Sequence, residues 1–313
     1  MDGLILVKKH QGCTSHDLIT DLRRILNIQK IGHFGTLDPL ATGLMIIAVG
    51  KATRLSSFFL KADKIYEGRI QLGYSTDTYD STGTPTSTEK KEWPEKKKIL
   101  EVMKKFLGKV DQIPPPYSAK KYRGEPLYKL ARKKKEFELK PSRIFIHSFL
   151  LKEYHPPFLN FEVKCSSGTY IRSLAHDLGQ ILRCGAHLSE LTRTKIEPFE
   201  LSAAFTLEKI KQLKGEGKIS HFLIAVESLL PQFPKAILKE SGTALARNGN
   251  MVFPENISKV VQTDTLQNKI PKQKEVIFRL FNLEGKLLGL AKKEPEKNSL
   301  HPFLVFNQRD IER

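Results

Sequence analysis

This chain of 313 residues predicts an α+β fold: a mixed, mostly antiparallel central sheet with flanking helices, then a small β-rich unit. Three observations carry that reading. Strand-like and helix-like patterns alternate irregularly, without the repeated strand–helix–strand unit that builds a doubly wound sheet. Tyr66 to Leu72 and Phe161 to Cys165 alternate apolar and polar residues, as half-buried strands do. Composition shifts after Leu230, where Pro231 and Pro234 bracket a linker, so residues 1–230 and 231–313 are expected to form separate domains.

Along the chain, Leu4 to Val7 is a short apolar run, a buried strand. Thr14, with Asp17 three residues on, has the form of a capping box. Behind it Leu18, Ile19, Leu22, Ile25 and Leu26 recur at helical spacing, so a helix packs on that strand. A turn over residues 32–43 leads into Leu44 to Val49, again continuous and strand-like. Glu89 to Lys98 (EKKEWPEKKK) mixes both charges and opens a solvated surface helix running through Phe106. Ser166 to Thr169 makes a turn after the second alternating strand. The helix behind it carries Ile171, Leu174, Ala175, Leu178, Ile181 and Leu182 on one face. Tyr170 and Arg172 therefore stand at a strand-to-helix junction, the rim of a cleft, where they can meet a base and a phosphate. Plainer roles for them are ring packing and an ion pair with Asp177. Beyond the linker, Glu275 to Ala291 reads as a hairpin around Asn282-Leu283-Glu284-Gly285, and Phe303 to Phe306 as a further strand.

Composition narrows the function classes. Hydrophobic residues at 40% and charged residues at 27% are ordinary for a soluble globular protein. No apolar stretch approaches the roughly 18–20 residues that span a bilayer. The opening MDGLILVKKHQG lacks the basic and long apolar regions of a signal peptide. Three scattered cysteines, Cys13, Cys165 and Cys184, suit reduced thiols in the cytoplasm, not a disulfide framework or zinc site. Lys and Arg number 52 against 34 Asp and Glu, a formal charge of +18 that attracts polyanions. The surplus clusters in Lys120-Lys121-Tyr122-Arg123 and in Lys129 to Lys135, with Tyr122 and Tyr128 interleaved. That mixture suits phosphate contact with base stacking, although a solvated helix face has the same composition.

The most specific segment is Gly32 to Gly43, GHFGTLDPLATG. Its glycines permit positive φ or close backbone approach, and Pro39 biases Asp38 toward extended or turn geometry. A carboxylate on such a turn can cap a helix, bind a metal, or act as nucleophile or base. Metal binding has little support, because His33 is the only soft ligand nearby and the segment holds no second carboxylate.

The order of these residues resembles the active-site motif of the TruB family of tRNA pseudouridine synthases. Further blocks resemble the family in sequence order over roughly the first 200 residues. They are Lys9 to Ser15 (with His10 where proline is usual), Lys64-Ile65-Tyr66, Leu72-Gly73, Thr76 to Asp80, Gln112 to Pro115, Tyr117-Ser118-Ala119, Lys121-Tyr122, Gly168 to Arg172, and Gly185 to Leu188 leading into Leu191 to Thr194. The resemblance implies a catalytic domain with a long central sheet crossed by the active-site cleft, and a C-terminal RNA-binding unit of the PUA type. It implies isomerisation of uridine at position 55 in the T loop of tRNA, without cofactor or metal. Asp38 is then the nucleophile or base. Tyr66 stacks on the uracil, Tyr170 and Leu191 line the base pocket, Arg172 pairs with Asp38, and His33 contacts the RNA. The Pro39-Leu40-Ala41-Thr42-Gly43 ending resembles the bacterial stand-alone enzymes, so neither guide RNA nor an obligate protein partner is expected. Three other readings compete: a non-catalytic RNA chaperone, a phosphoaspartate enzyme, and a pseudouridine synthase for another uridine. The phosphoaspartate reading lacks the carboxylates for Mg²⁺ and the phosphate loop.

Overall fold

A computed structural model describes residues 1–118, 121–122, 125–126, 139–262 and 276–306. The first part runs β1 (Gly3–Lys9), α1 (Ser15–Leu26), β2 (Ile31–His33), β3 (Thr42–Val49), α2 (Ser56–Leu60), β4 (Lys64–Leu72), α3 (Lys96–Lys104), β5 (Gly108–Gln112), β6 (Lys121–Tyr122) and β7 (Glu125–Pro126). It continues with β8 (Ser142–His155), β9 (Phe158–Cys165), α4 (Ile171–Ile181), β10 (Ala186–Ile196), β11 (Phe199–Glu200), α5 (Leu207–Gly215) and β12 (Leu223–Ala225). The second part holds β13 (Lys235–Leu238), α6 (Glu240–Arg247), β14 (Ile257–Val261), β15 (Ile277–Phe281), β16 (Leu287–Glu294) and β17 (Ser299–Val305).

Ten strands form the central sheet along the path β12-β1-β3-β10-β4-β9-β8-β5, with β2 added to β3 and β11 to β10. Its pairings among the described residues are antiparallel except at β3 and β10, which run parallel through Thr42–Thr192 and Gly43–Arg193. The mixed, mostly antiparallel sheet expected from the sequence is the one observed. A smaller sheet has the order β14-β13-β15-β16-β17, and its β15–β16 turn is the expected hairpin.

The two continuous apolar runs have a structural cause. On β1 and β3, Ile5, Val7, Met45, Ile47 and Val49 enter one core beside Leu18, Leu22 and Leu26 of α1. Their alternate neighbours Leu4, Leu6, Leu44, Ile46 and Ala48 enter a second core on the opposite face. A strand covered on both faces has no reason to alternate. That second core takes in Ala52, Leu55 and Phe59 from the segment just after β3, and extends to Phe281, Leu287, Leu290, Leu304 and Phe306 of the C-terminal part. Each such buried side chain contributes about 1.5–3 kcal/mol. Buried Arg279 adds a strap, donating from Nε to Phe233 O at 3.0 Å and from Nη1 to Leu229 O at 3.1 Å.

Helix α1 starts as the sequence specifies. Asp17 N donates to Thr14 Oγ1 at 3.1 Å, and Thr14 N to Asp17 Oδ2 at 2.9 Å. It ends at Asn27 in left-handed geometry, φ 56°, whose N–H bonds Arg23 O. Helix α3 differs from expectation. It begins at Lys96, beyond Pro94, ends at Lys104, and buries Ile99, Val102 and Met103. Of the basic clusters, only the backbone of Lys121 and Tyr122 is described; Lys120, Arg123, Tyr128 and Lys129 to Lys135 lie outside the described residues, as does Glu275. No described helix is long and apolar enough to cross a membrane.

Candidate active site

Asp38 lies on the turn between β2 and β3, and the turn is stitched down from below. Lys9, fully buried at the end of β1, donates to Ala41 O at 2.6 Å, His10 O at 3.1 Å and Pro39 O at 3.4 Å. Burial lowers the pKa of this ammonium, while Cys13 and Asp38 oppose the shift. Ser15 Oγ donates to Leu37 O at 3.0 Å and accepts from Leu37 N at 2.9 Å. From the other side, Arg193 on β10 donates to Leu44 O (2.8 Å), Gly35 O (3.0 Å) and Thr36 O (3.3 Å). Two buried cations thus hold the backbone on either side of one carboxylate. Asp38 caps no helix, because the chain passes from it into strand β3.

The Asp38 side chain meets Arg172, at the start of α4. Arg172 Nε is 2.7 Å from Asp38 Oδ2, a close ion pair off the ideal hydrogen-bond line. The guanidinium is fixed from behind, donating from Nη1 to Thr78 O and from Nη2 to Tyr117 O, both at 3.0 Å. Its Nη1 also lies 3.6 Å from Asp80 Oδ2. Arg172 is buried, yet 39% of the Asp38 side chain stays exposed, so the carboxylate is oriented and still reachable. The alternative pairing with Asp177 is not what the structure shows.

Around this pair opens a cleft of about 510 Å³ lined by Asp38, Tyr66, Tyr170, Arg172, Leu191 and Arg193 among others. Tyr66 on β4 stands opposite Arg193 in the ladder, and Leu191 opposite Gly68. Burial raises the pKa of the Tyr66 hydroxyl, and Arg193 beside it works the other way. Tyr170 caps the junction between β9 and α4; its N–H donates to Gln112 Oε1 at 2.8 Å, and Gln112 Nε2 donates to its carbonyl at 3.0 Å. Lys64 also lines the cleft, donating to Ala62 O (2.6 Å) and Leu60 O (2.9 Å), with burial lowering its pKa to about 8.

Five of the six residues singled out from sequence therefore share one cleft. The sixth, His33, sits on β2 opposite Ile47, outside the cleft lining. Its Nδ1 is buried with no hydrogen-bond partner among the described residues, and burial lowers its pKa. Sequence alone assigned no role to Lys9, Lys64, Asp80, Gln112 or Arg193. Their signal was membership of the ordered motif blocks, since nothing in composition separates a buried lysine from a surface one.

The chain belongs to the TruB family of pseudouridylate synthases. The family's profile for the N-terminal domain of TruB family pseudouridylate synthase matches residues 23–171, and that for the C-terminal domain of tRNA pseudouridylate synthase B matches residues 172–231. The tRNA pseudouridine synthase B of Solibacter usitatus is 41% identical over 249 residues, 80% of this chain and 85% of the relative. That of Opitutus terrae is 48% identical over 213 residues, 68% and 88% of the two chains. That of Geotalea uraniireducens is 36% identical over 292 residues, 93% and 92%. Among solved structures, a chain of a Cbf5-Nop10-Gar1 complex superimposes with a TM-score of 0.68 at 26% identity, covering 99% of this chain and 81% of that one. A chain of an H/ACA RNP bound to a substrate RNA containing 2'-deoxyuridine gives 0.69 at 25% identity, covering 98% and 86%. Both family profiles stop short of the small sheet.

Proposed function

We propose that this protein isomerises uridine to pseudouridine at position 55 in the T loop of tRNA, acting alone and in the cytoplasm. The observation that carries the proposal is the oriented, reachable Asp38 carboxylate paired with buried Arg172 in a cleft also lined by Tyr66 and Leu191. The reaction breaks the N-glycosidic bond, turns the uracil and rejoins it through carbon. Substrate and product are isomers, so no cofactor, metal or second substrate enters the balance.

A glycosidic bond inside a stacked loop is out of reach, so the nucleotide must be extruded at a cost of a few kcal/mol. Tyr66 and Tyr170 offer aromatic surface to the extruded base, Leu191 an apolar wall, and the +18 charge attracts the phosphates. Asp38 acts as nucleophile or base, with Arg172 holding its aim. The Tyr66 hydroxyl, kept protonated by burial, is placed to give or relay a proton. His33 contacts RNA from the flank of the turn. Residues 231–313 serve as a PUA-like RNA-docking domain, and neither a guide RNA nor a protein partner is required.

The test is to map pseudouridine in tRNA after incubation with the purified protein and no additions, beside Asp38→Asn. The parent should modify the T-loop uridine, and Asp38→Asn should bind tRNA without turnover. Residual formation within about tenfold of the parent, a loss short of the usual 10²–10⁴ of acid–base catalysis, would remove Asp38 from the chemistry. Modification only at other positions would favour a synthase for a different uridine. Binding with no modification by the parent would favour the RNA chaperone.

A further inference from the structure

The loop over residues 76–84 carries Asp80 to Arg172, and it is heavily tied. Asp80 Oδ1 accepts from Thr82 Oγ1 (2.6 Å), Thr78 Oγ1 (2.8 Å) and Thr82 N (3.0 Å), and its backbone carbonyl accepts from Thr76 Oγ1 at 2.7 Å. Leu188 N donates to Tyr79 O at 3.0 Å, and Ser81 N to Leu188 O at 2.9 Å. At the centre of these ties Tyr79 adopts a left-handed φ of 65°. A bulky residue there is strained, and such strain persists only where the surroundings over-determine the conformation. Glycine would take this backbone without penalty, so the tyrosine ring needs a reason to be there.

Its contact supplies one. The Tyr79 ring stacks on His176 with centroids 3.8 Å apart and planes 14° from parallel. His176 lies one helical turn beyond Arg172 on α4, on the same face. Helix α4 therefore grips three successive residues of the loop. Arg172 takes Thr78 O and the Asp80 carboxylate, and His176 takes the ring between them.

We propose that Tyr79 is a positioning residue for the isomerisation: its stack on His176 fixes the left-handed turn that presents Asp80 to Arg172, and through Arg172 it sets the aim of Asp38. Tyr79 touches no reacting atom. This inference rests on the reading of Asp38 and Arg172 as the reacting centre.

The experiment compares Tyr79→Gly, Tyr79→Phe and His176→Ala in the full chain. Single-turnover pseudouridine formation at saturating tRNA is measured beside tRNA affinity and melting temperature. Tyr79→Gly accepts the backbone and loses the ring. Its rate should fall by about tenfold, the ceiling for one aromatic pair, with affinity within about twofold. Tyr79→Phe keeps the stack and should stay within about twofold of the parent in both. His176→Ala removes the other half of the stack on a helix that tolerates alanine, so it should repeat the split even if Tyr79→Gly melts early. A parental rate in both Tyr79→Gly and His176→Ala would overturn the proposal. Equal losses in Tyr79→Phe and Tyr79→Gly would also overturn it, because the hydroxyl and not the stack would then matter. Asp38→Asn in the same assay separates the two claims: activity retained there sinks the reading of the centre, whereas a parental Tyr79→Gly sinks this one alone.

Discussion

Gly43→Ala tests whether the active-site turn depends on the seam between β3 and β10. Gly43 has φ +106°, and a Cβ placed on it would lie 2.4 Å from Arg193 O and 2.7 Å from Arg193 N. Those are backbone atoms of the paired strand, so no side chain can swing away. The backbone conformation costs an alanine about 1–3 kcal/mol, and forced overpacking costs about 1–3 kcal/mol more. Gly12→Ala is the control, since Gly12 has φ +89° and no atom of the described residues lies within 4 Å of an added Cβ. It should lose only the first contribution, so the two variants should differ by about 1–3 kcal/mol. Relief of the clash would push Arg193 away from β3, drawing its guanidinium off Gly35 O, Thr36 O and Leu44 O. Urea denaturation followed by far-UV circular dichroism and by the single tryptophan, Trp93, gives the stability difference. Pseudouridine formation under folding conditions gives the functional one. Equal stability losses within about 0.5 kcal/mol would refute the close-approach argument. Full activity in a destabilised Gly43→Ala would show that the seam supports the sheet and not the turn.

Two further outcomes are expected. Tyr66→Phe keeps the aromatic surface and loses the hydroxyl, so single-turnover rate should fall about 10²–10⁴-fold with tRNA affinity unchanged; an unaltered rate would make Tyr66 a packing residue. Burial holds the Asp177 carboxyl up at about 6 from an ordinary 3.8, so the folded state binds that proton more tightly and loses stability as pH rises from about 3.8 through about 6. Asp177→Asn should therefore raise the melting temperature at about pH 8 and give little below about pH 4, and a pH-independent gain would contradict it.

Local signals were legible in the sequence. The Thr14–Asp17 capping box, the apolar faces of α1 and α4, and the alternation on β4 and β9 all report interactions within a few residues, and the structure contains them. The Asp38 turn was legible through its ordered motif. Long-range pairing was not. Lys9 and Arg193 look like surface cations until β1 and β10 are assembled and their ends meet backbone carbonyls distant in sequence. The apolar runs of β1 and β3 signalled burial, but the second core they enter also draws on residues 281–306, more than 200 positions away by the numbering. His33 lies in the same motif, and only the assembled sheet sets it opposite Ile47, outside the cleft lining.

The parallel seam has a consequence for how the protein is made. Thr42 hydrogen-bonds Thr192 across 150 residues of sequence, so the turn bearing Asp38 cannot be closed when it leaves the ribosome. At 5–20 residues per second, β10 emerges after β3 by roughly 7–30 s. Throughout that wait β1 and β3 can pair with each other and pack on α1, but their outer edges lack β10 and β12, and the core on the face away from α1 lacks its C-terminal members. A nascent chain in this state exposes the residues most prone to wrong pairing. The enzyme's fate during synthesis should then hang on how that first hairpin-like pair is sheltered, and the closed turn that carries Asp38 can exist only once nearly two-thirds of the polypeptide has emerged.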